Sequence, residues 1–147
     1  MPEYPPKLHE VLEDFESIND RSERSEMLIY YADRFESVPE HIATRPFNEA
    51  HRVPACESEA YVWSTPRRDG TLDFFFAVEN PQGLSAQALS RILAETVSGA
   101  PLDQVASIDP SLVLTLFGND LSMGKGQGLM GIVSMVRAHA LAQLKAS

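Results

Sequence analysis

Two runs of strand-forming residues, Ala60-Tyr61-Val62-Trp63-Ser64 and Leu72-Asp73-Phe74-Phe75-Phe76-Ala77-Val78, flank Arg67-Arg68-Asp69-Gly70 and lie between segments of helical periodicity. Aromatic and β-branched side chains suit a pleated surface, and Asp-Gly favours a reversal, so the pair predicts an antiparallel hairpin. Helical runs, then a strand pair, then helical runs again, without strand–helix alternation, indicate an α+β layer and not a doubly wound sheet.

Upstream, Leu8, Val11, Leu12, Phe15 and Ile18 recur at helical spacing, as do Leu28, Tyr31, Ala32 and Phe35, which predicts two amphipathic helices. Asp20 with Glu23 fits a capping box for the second, and Val38-Pro39 signals its end. From Pro39 to Pro54 no period is convincing; His41, Thr44, Pro46, Asn48 and His51 describe a polar loop of the length often used for function. Downstream, Asn80-Pro81-Gln82-Gly83 breaks the chain. Ser85 is placed to cap a helix presenting Leu89, Ile92, Leu93 and Val97, which Gly99 and Pro101 stop. Asp109-Pro110 starts a short helix through Leu112, Val113, Leu116 and Phe117 to Gly118. Leu129, Ile132, Val133, Val136, Ala140 and Leu144 form the stripe of a long last helix, expected to pack on one face of the sheet after a flexible segment at 123–128.

At 147 residues and 44% hydrophobic the chain has the length and apolar content for one core, so residues 1–147 are expected to form a single domain. No apolar run reaches the roughly eighteen residues of a membrane span. Met1-Pro2-Glu3-Tyr4-Pro5-Pro6 has neither the basic start nor the apolar stretch of a secretory signal, so a soluble cytoplasmic protein is expected. The net charge of −9 is uneven: residues 1–59 hold 14 acids and 6 bases, the remainder 7 acids and 6 bases. That sign repels phosphate backbones and argues against nucleic-acid binding.

Cys56 is the only cysteine. It cannot close an intramolecular disulfide, complete a two-cysteine redox motif, or build a four-thiolate metal site from one chain. What it leaves open is the chemistry of one nucleophilic sulfur, or inert packing, since free cysteine is among the most buried residue types. Pro54 restrains the backbone ahead of the thiol, and Glu57 and Glu59 mark the segment as exposed. A Cys-His hydrolase would need an orienting partner and an oxyanion hole that nothing near His51 supplies; His9 and His139 fall on helices, and His41 in the long loop. His51, Cys56, Glu57 and Glu59 match no recurrent metal-ligand spacing, so no metal is expected. Gly124, Gly126 and Gly128 lack the Lys-Ser/Thr pair of a phosphate loop and read as a glycine-rich helix entry. A thiol that accepts and delivers sulfur needs one cysteine only. Arg52 would favour its thiolate, and Glu57 and Glu59 would oppose it.

Val53-Pro54-Ala55-Cys56-Glu57-Ser58-Glu59-Ala60-Tyr61 resembles the acceptor segment of the SufE-like family, in which valine, any residue, glycine and cysteine precede glutamine-serine-glutamine and an aromatic residue. Leu8, Phe15, Leu28 and Val38-Pro39 upstream are similar to the family's apolar positions and its leucine-proline pair. Ser98-Gly99, Pro101, Asp103 and Val105, then Leu121-Ser122, Gly128-Leu129, Val133, Arg137 and Ala140 follow in the family's order and intervals. Three departures stand out: Ala55 where the family has glycine, Lys125 where it has arginine, and Asn80-Pro81-Gln82-Gly83 where it has aspartate-serine-aspartate-alanine.

The resemblance implies an α+β fold of the SufE/NifU type, with a small antiparallel sheet packed against helices. It implies that Cys56 takes persulfide sulfur from a cysteine desulfurase, stimulates that enzyme, and passes the sulfur to a scaffold for iron–sulfur cluster assembly. The pyridoxal cofactor belongs to the desulfurase, so this chain is expected to need none and to act with its partner, not as an independent catalyst. Val53, Pro54, Ala55, Glu57, Ser58 and Tyr61 are the expected loop and shelter of the persulfide. His51, Arg52, Lys125 and Arg137 are candidates for holding the loop or meeting the partner; the alternative for the last two is plain solvated charge. The rival reading keeps the fold as a protein-binding module in which Cys56 is only packed.

Overall fold

The computed structural model describes residues 3–119 and 121–146. Met1 and Pro2, at the head of the N-terminal segment considered above, lie outside the described residues. The elements are α1 (Pro6–Glu16), α2 (Arg21–Asp33), β1 (Ala60–Pro66), β2 (Leu72–Val78), α3 (Leu84–Val97), α4 (Leu102–Val105), α5 (Leu112–Phe117) and α6 (Met123–Ala146), with one 3₁₀ turn at Glu49–His51. The fold is α+β: one antiparallel hairpin in register Ala60↔Val78 to Pro66↔Leu72, with helices against it. At the turn, Gly70 takes φ 90° and the Asp69 carboxylate accepts from the N–H and hydroxyl of Thr71.

The pleat divides the hairpin's side chains between two cores. Ala60, Val62, Leu72, Phe74 and Phe76 join α1, α3, α5 and α6 in the main cluster, where Phe15, Leu89, Ile92, Leu116 and Ile132 are fully buried. Tyr61, Trp63 and Ala77 face the other way, into a second cluster closed by Val38, Ile42, Ala43 and Phe47. Phe47 stands edge-on to Trp63 at 5.0 Å, and Tyr61 stacks on Trp63 at 5.9 Å. The long loop read above as polar therefore covers the second face of the sheet. Its apolar residues follow no helical or strand period because the segment is irregular.

Asp20 caps α2 as expected, accepting from the Ser22 N–H at 3.1 Å, but other helix starts differ from expectation. α3 begins one residue earlier than its expected cap, with Gly83 at the N-cap and no side-chain cap bond. A single-turn α4 follows Pro101, where a stop was expected. Asp109 stabilises the turn ahead of α5, its carboxylate accepting from the Ser111 N–H at 2.8 Å, and the helix proper starts at Leu112. The largest correction is α6: residues 123–128 are its first turns and not a flexible lead-in. Ser122 Oγ accepts from the Lys125 N–H at 3.3 Å at its start.

Candidate functional site

The segment from Val53 to Ala60 is a closed loop at the base of β1. Its ends are joined by Val53 N–H bonding to the Ala60 carbonyl at 2.8 Å, and an Arg52↔Tyr61 bridge continues the pairing outward. Cys56 opens a tight turn in which its carbonyl accepts from the Glu59 N–H at 3.0 Å. To fit that path, Ala55 and Glu59 adopt left-handed backbone, φ 56° and 53°. Such a conformation costs an L-residue with a Cβ about 1–2 kcal/mol. Glycine escapes that cost.

The loop folds back onto α6. An added Cβ at Gly128 would lie 3.1 Å from Cys56 Cα and 3.3 Å from its Sγ; at Gly131 it would lie 2.8 Å from a Val53 methyl. Gly124, one turn earlier, has the Glu57 carboxylate over it at 3.1 Å by the same measure. Gly124, Gly128 and Gly131 fall four and three residues apart, hence on one helix face. The glycines carve a flat track into which the thiol loop settles. Cys56 is 7% exposed and belongs to the main core cluster, while Pro54, Ala55, Glu57 and Glu59 beside it are exposed. The Glu57 carboxylate sits beside the first turn of α6, where the helix dipole favours negative charge.

A second anchor comes from the segment after β2. Asn80 donates its backbone N–H to the Ser58 carbonyl at 3.1 Å and its side-chain amide to the Glu57 carbonyl at 3.4 Å. Gly83 lies against Ser58, 2.9 Å from an added Cβ to the serine's own. The stretch that departs from the family pattern is thus the one that latches the loop. Sequence reasoning noticed the departure but not the latch. It also read Gly124, Gly126 and Gly128 as a helix entry and passed over Gly131, although the four-and-three spacing of Gly124, Gly128 and Gly131 was a visible sign of close approach.

The remaining candidates are dispersed. Tyr61 lies in the aromatic cluster on the face of the sheet opposite to the one Cys56 adjoins. His51 donates through Nδ1 to the Val62 carbonyl at 3.0 Å and stacks on Trp63 at 5.3 Å. Arg52 pairs with Glu49 at 3.7 Å. Lys125 is exposed on the first turn of α6, near the Glu57 end of the loop. Arg137 donates from Nε to the Ala106 carbonyl at 3.1 Å and so ties α6 to the end of α4. Among the described residues no three His, Cys, Asp or Glu side chains gather as a metal site, and no helix is long and apolar enough to cross a membrane.

Comparisons with known proteins bear on the fold and the family. A solved solution structure of a hypothetical protein from Thermus thermophilus superposes with a TM-score of 0.74 at 25% identity, covering 97% of this chain and 98% of that one. The chain is 24% identical over 140 residues to "SufE-like protein 1, chloroplastic/mitochondrial" of Arabidopsis thaliana, covering 95% of this chain and 36% of that protein. It is 24% identical over 135 residues to "Cysteine desulfuration protein SufE" of Plasmodium vivax, covering 90% and 52% respectively. The chain thus spans about a third and about half of the length of these curated relatives. Residues 9–140 match the family described as SufE, Fe-S metabolism associated domain, and the chain belongs to that family.

Proposed function

We propose that this chain, acting as one domain in a reducing compartment such as the cytoplasm, accepts sulfur from a cysteine desulfurase on Cys56 and delivers it to an iron–sulfur scaffold. The observation that carries the reading is the seating of the sole thiol: a closed loop holds it against a glycine track, with both loop ends tied to each other. Such a loop can lift without unpairing β1 from β2. Lifting gives up the two Asn80 bonds and the bond from the Glu79 N–H to the Glu59 carbonyl, each worth about 0.5–1.5 kcal/mol net, and the burial of one small side chain. Partner contacts can offset costs of that size.

The chemistry is a persulfide exchange. The Cys56 thiolate, its proton released to solvent, attacks the outer sulfur of the partner's persulfide. A new sulfur–sulfur bond forms on Cys56, the partner's breaks, and the partner's thiolate leaves and is reprotonated. One sulfur atom moves and no electrons are gained or lost overall. Return of the loop to the α6 track would then shield the persulfide from small thiols.

Burial of Cys56 is also what a packed, inert thiol would show, and it favours a protein-binding module as the second reading. Intact mass separates the two after incubation with a cysteine desulfurase, cysteine and pyridoxal phosphate. The expected result is a reducible gain of one sulfur atom that is absent in Cys56→Ser. No gain with several desulfurases, together with alkylation of Cys56 only after unfolding, would leave the binding module standing.

A further inference from the structure

α6 carries a second surface beside the seat of the Cys56 loop. The loop rests on Gly124, Gly128 and Gly131, and the residue before each of these, Met123, Gln127 and Met130, lines a groove of about 280 Å³. At 3.6 residues per turn, one residue is a rotation of about 100°. The groove therefore runs along the helix face next to the loop, over the same two turns. Leu114 of α5 and Leu121, just ahead of α6, complete its apolar lining. Gly126 lies in it as well, and a Cβ added there would meet nothing within 4 Å.

Met123 is 83% exposed and Leu114 44%, and no charged side chain belongs to the described lining. Exposed apolar surface without charge has the composition of an interface core, and methionine adapts its shape to what covers it. On the loop itself the character is opposite: Glu57 and Glu59 are exposed and in no ion pair among the described residues. What covers the groove follows from what must reach Cys56. The proposed transfer brings a partner's sulfur to bonding distance of the thiol. An interface of standard size buries about 800 Å² on each partner, a patch wider than the roughly 10–12 Å diameter of a helix with its side chains. A partner centred on Cys56 reaches the groove.

We propose that this groove is where the cysteine desulfurase grips the chain, by an apolar side chain that stands beside its persulfide cysteine, with basic groups of the same partner facing Glu57 and Glu59. The inference rests on the sulfur-acceptor reading and adds to it the docking surface. Because the groove lies on α6 and not on the loop, the partner can hold the domain while the loop leaves its glycine track.

The test measures desulfurase turnover against the concentration of the full chain, with an enzyme that loads Cys56. Gly126→Phe fills the groove, enters open space and replaces glycine by a better helix former. Met123→Gln removes the most exposed apolar end. Each should raise the half-saturating concentration about tenfold at unchanged maximal rate. Loading of Cys56 by inorganic polysulfide, which needs no docking, should match that of the unmodified chain. Leu141→Gln, on the same helix about 20 Å beyond Gly128 and also exposed, should change neither quantity. Unshifted half-saturation in either groove variant, an equal shift in Leu141→Gln, or slowed polysulfide loading in the groove variants would each overturn the docking proposal and leave the sulfur-acceptor reading standing. A self-association of the unmodified chain that Gly126→Phe abolishes would assign the groove to a second copy and overturn it too. If no desulfurase loads the unmodified chain, the proposal and the reading beneath it fall together.

Discussion

Ala55 holds φ 56° immediately before the thiol, and this explains physically why the family places a glycine here. Relief of the Cβ contact outweighs the entropy that glycine adds to the unfolded chain, so Ala55→Gly should stabilise the protein by about 1 kcal/mol, read as a higher urea midpoint at unchanged slope. A lower midpoint would mean that the alanine methyl makes a contact worth more than its strain. Gly128 acts in the opposite sense. A Cβ added there would lie 3.1 Å from Cys56 Cα, and backbone at that distance must yield by a few tenths of an ångström. Gly128→Ala should therefore displace the loop and raise the rate of Cys56 alkylation by iodoacetamide in the folded protein. Helix propensity alone would add about 1 kcal/mol of stability and leave that rate unchanged or lower, so the direction of the rate change decides.

At the scale of elements, the bond between Ser64 Oγ and His139 Nδ1, at 2.5 Å, joins β1 to α6. Burial first, and the neighbouring charge of His51 second, hold the His139 imidazole below its ordinary pKa. The unfolded chain then binds the proton more readily than the folded one. The associated stability is full above the unfolded value of about 6.5 and is lost as pH falls through the lower folded value. The urea midpoint should thus drop between about pH 7.5 and about pH 5, and His139→Gln should flatten that drop. An equally steep profile in the variant would assign the pH dependence to other groups. The hairpin and the stripes of α1, α3 and α6 were legible in the chain because each buries one regular face, and burial leaves a period. The start of α6 was not. Glycine signals flexibility in isolation, and only the loop lying across residues 124, 128 and 131 shows that their small size is used for close approach.

For the molecule as a whole, the seated loop is the ground state and the proposed transfer needs it lifted. With a cysteine desulfurase that loads Cys56, hydrogen exchange across residues 53–60 should quicken while β2 stays protected; unchanged exchange in the loop would remove lifting from the mechanism. Sequence alone determined the α+β class, the antiparallel hairpin, the placement of Cys56 ahead of β1 and the family resemblance, since these rest on local periods, turn residues and ordered motifs. Tertiary structure alone decided that Cys56 is buried among exposed neighbours, that Asn80 latches its loop, and that Tyr61 and His51 serve the other side of the sheet. Those facts depend on which distant segments meet. Contacts between residues far apart in the chain leave no period for a single sequence to display.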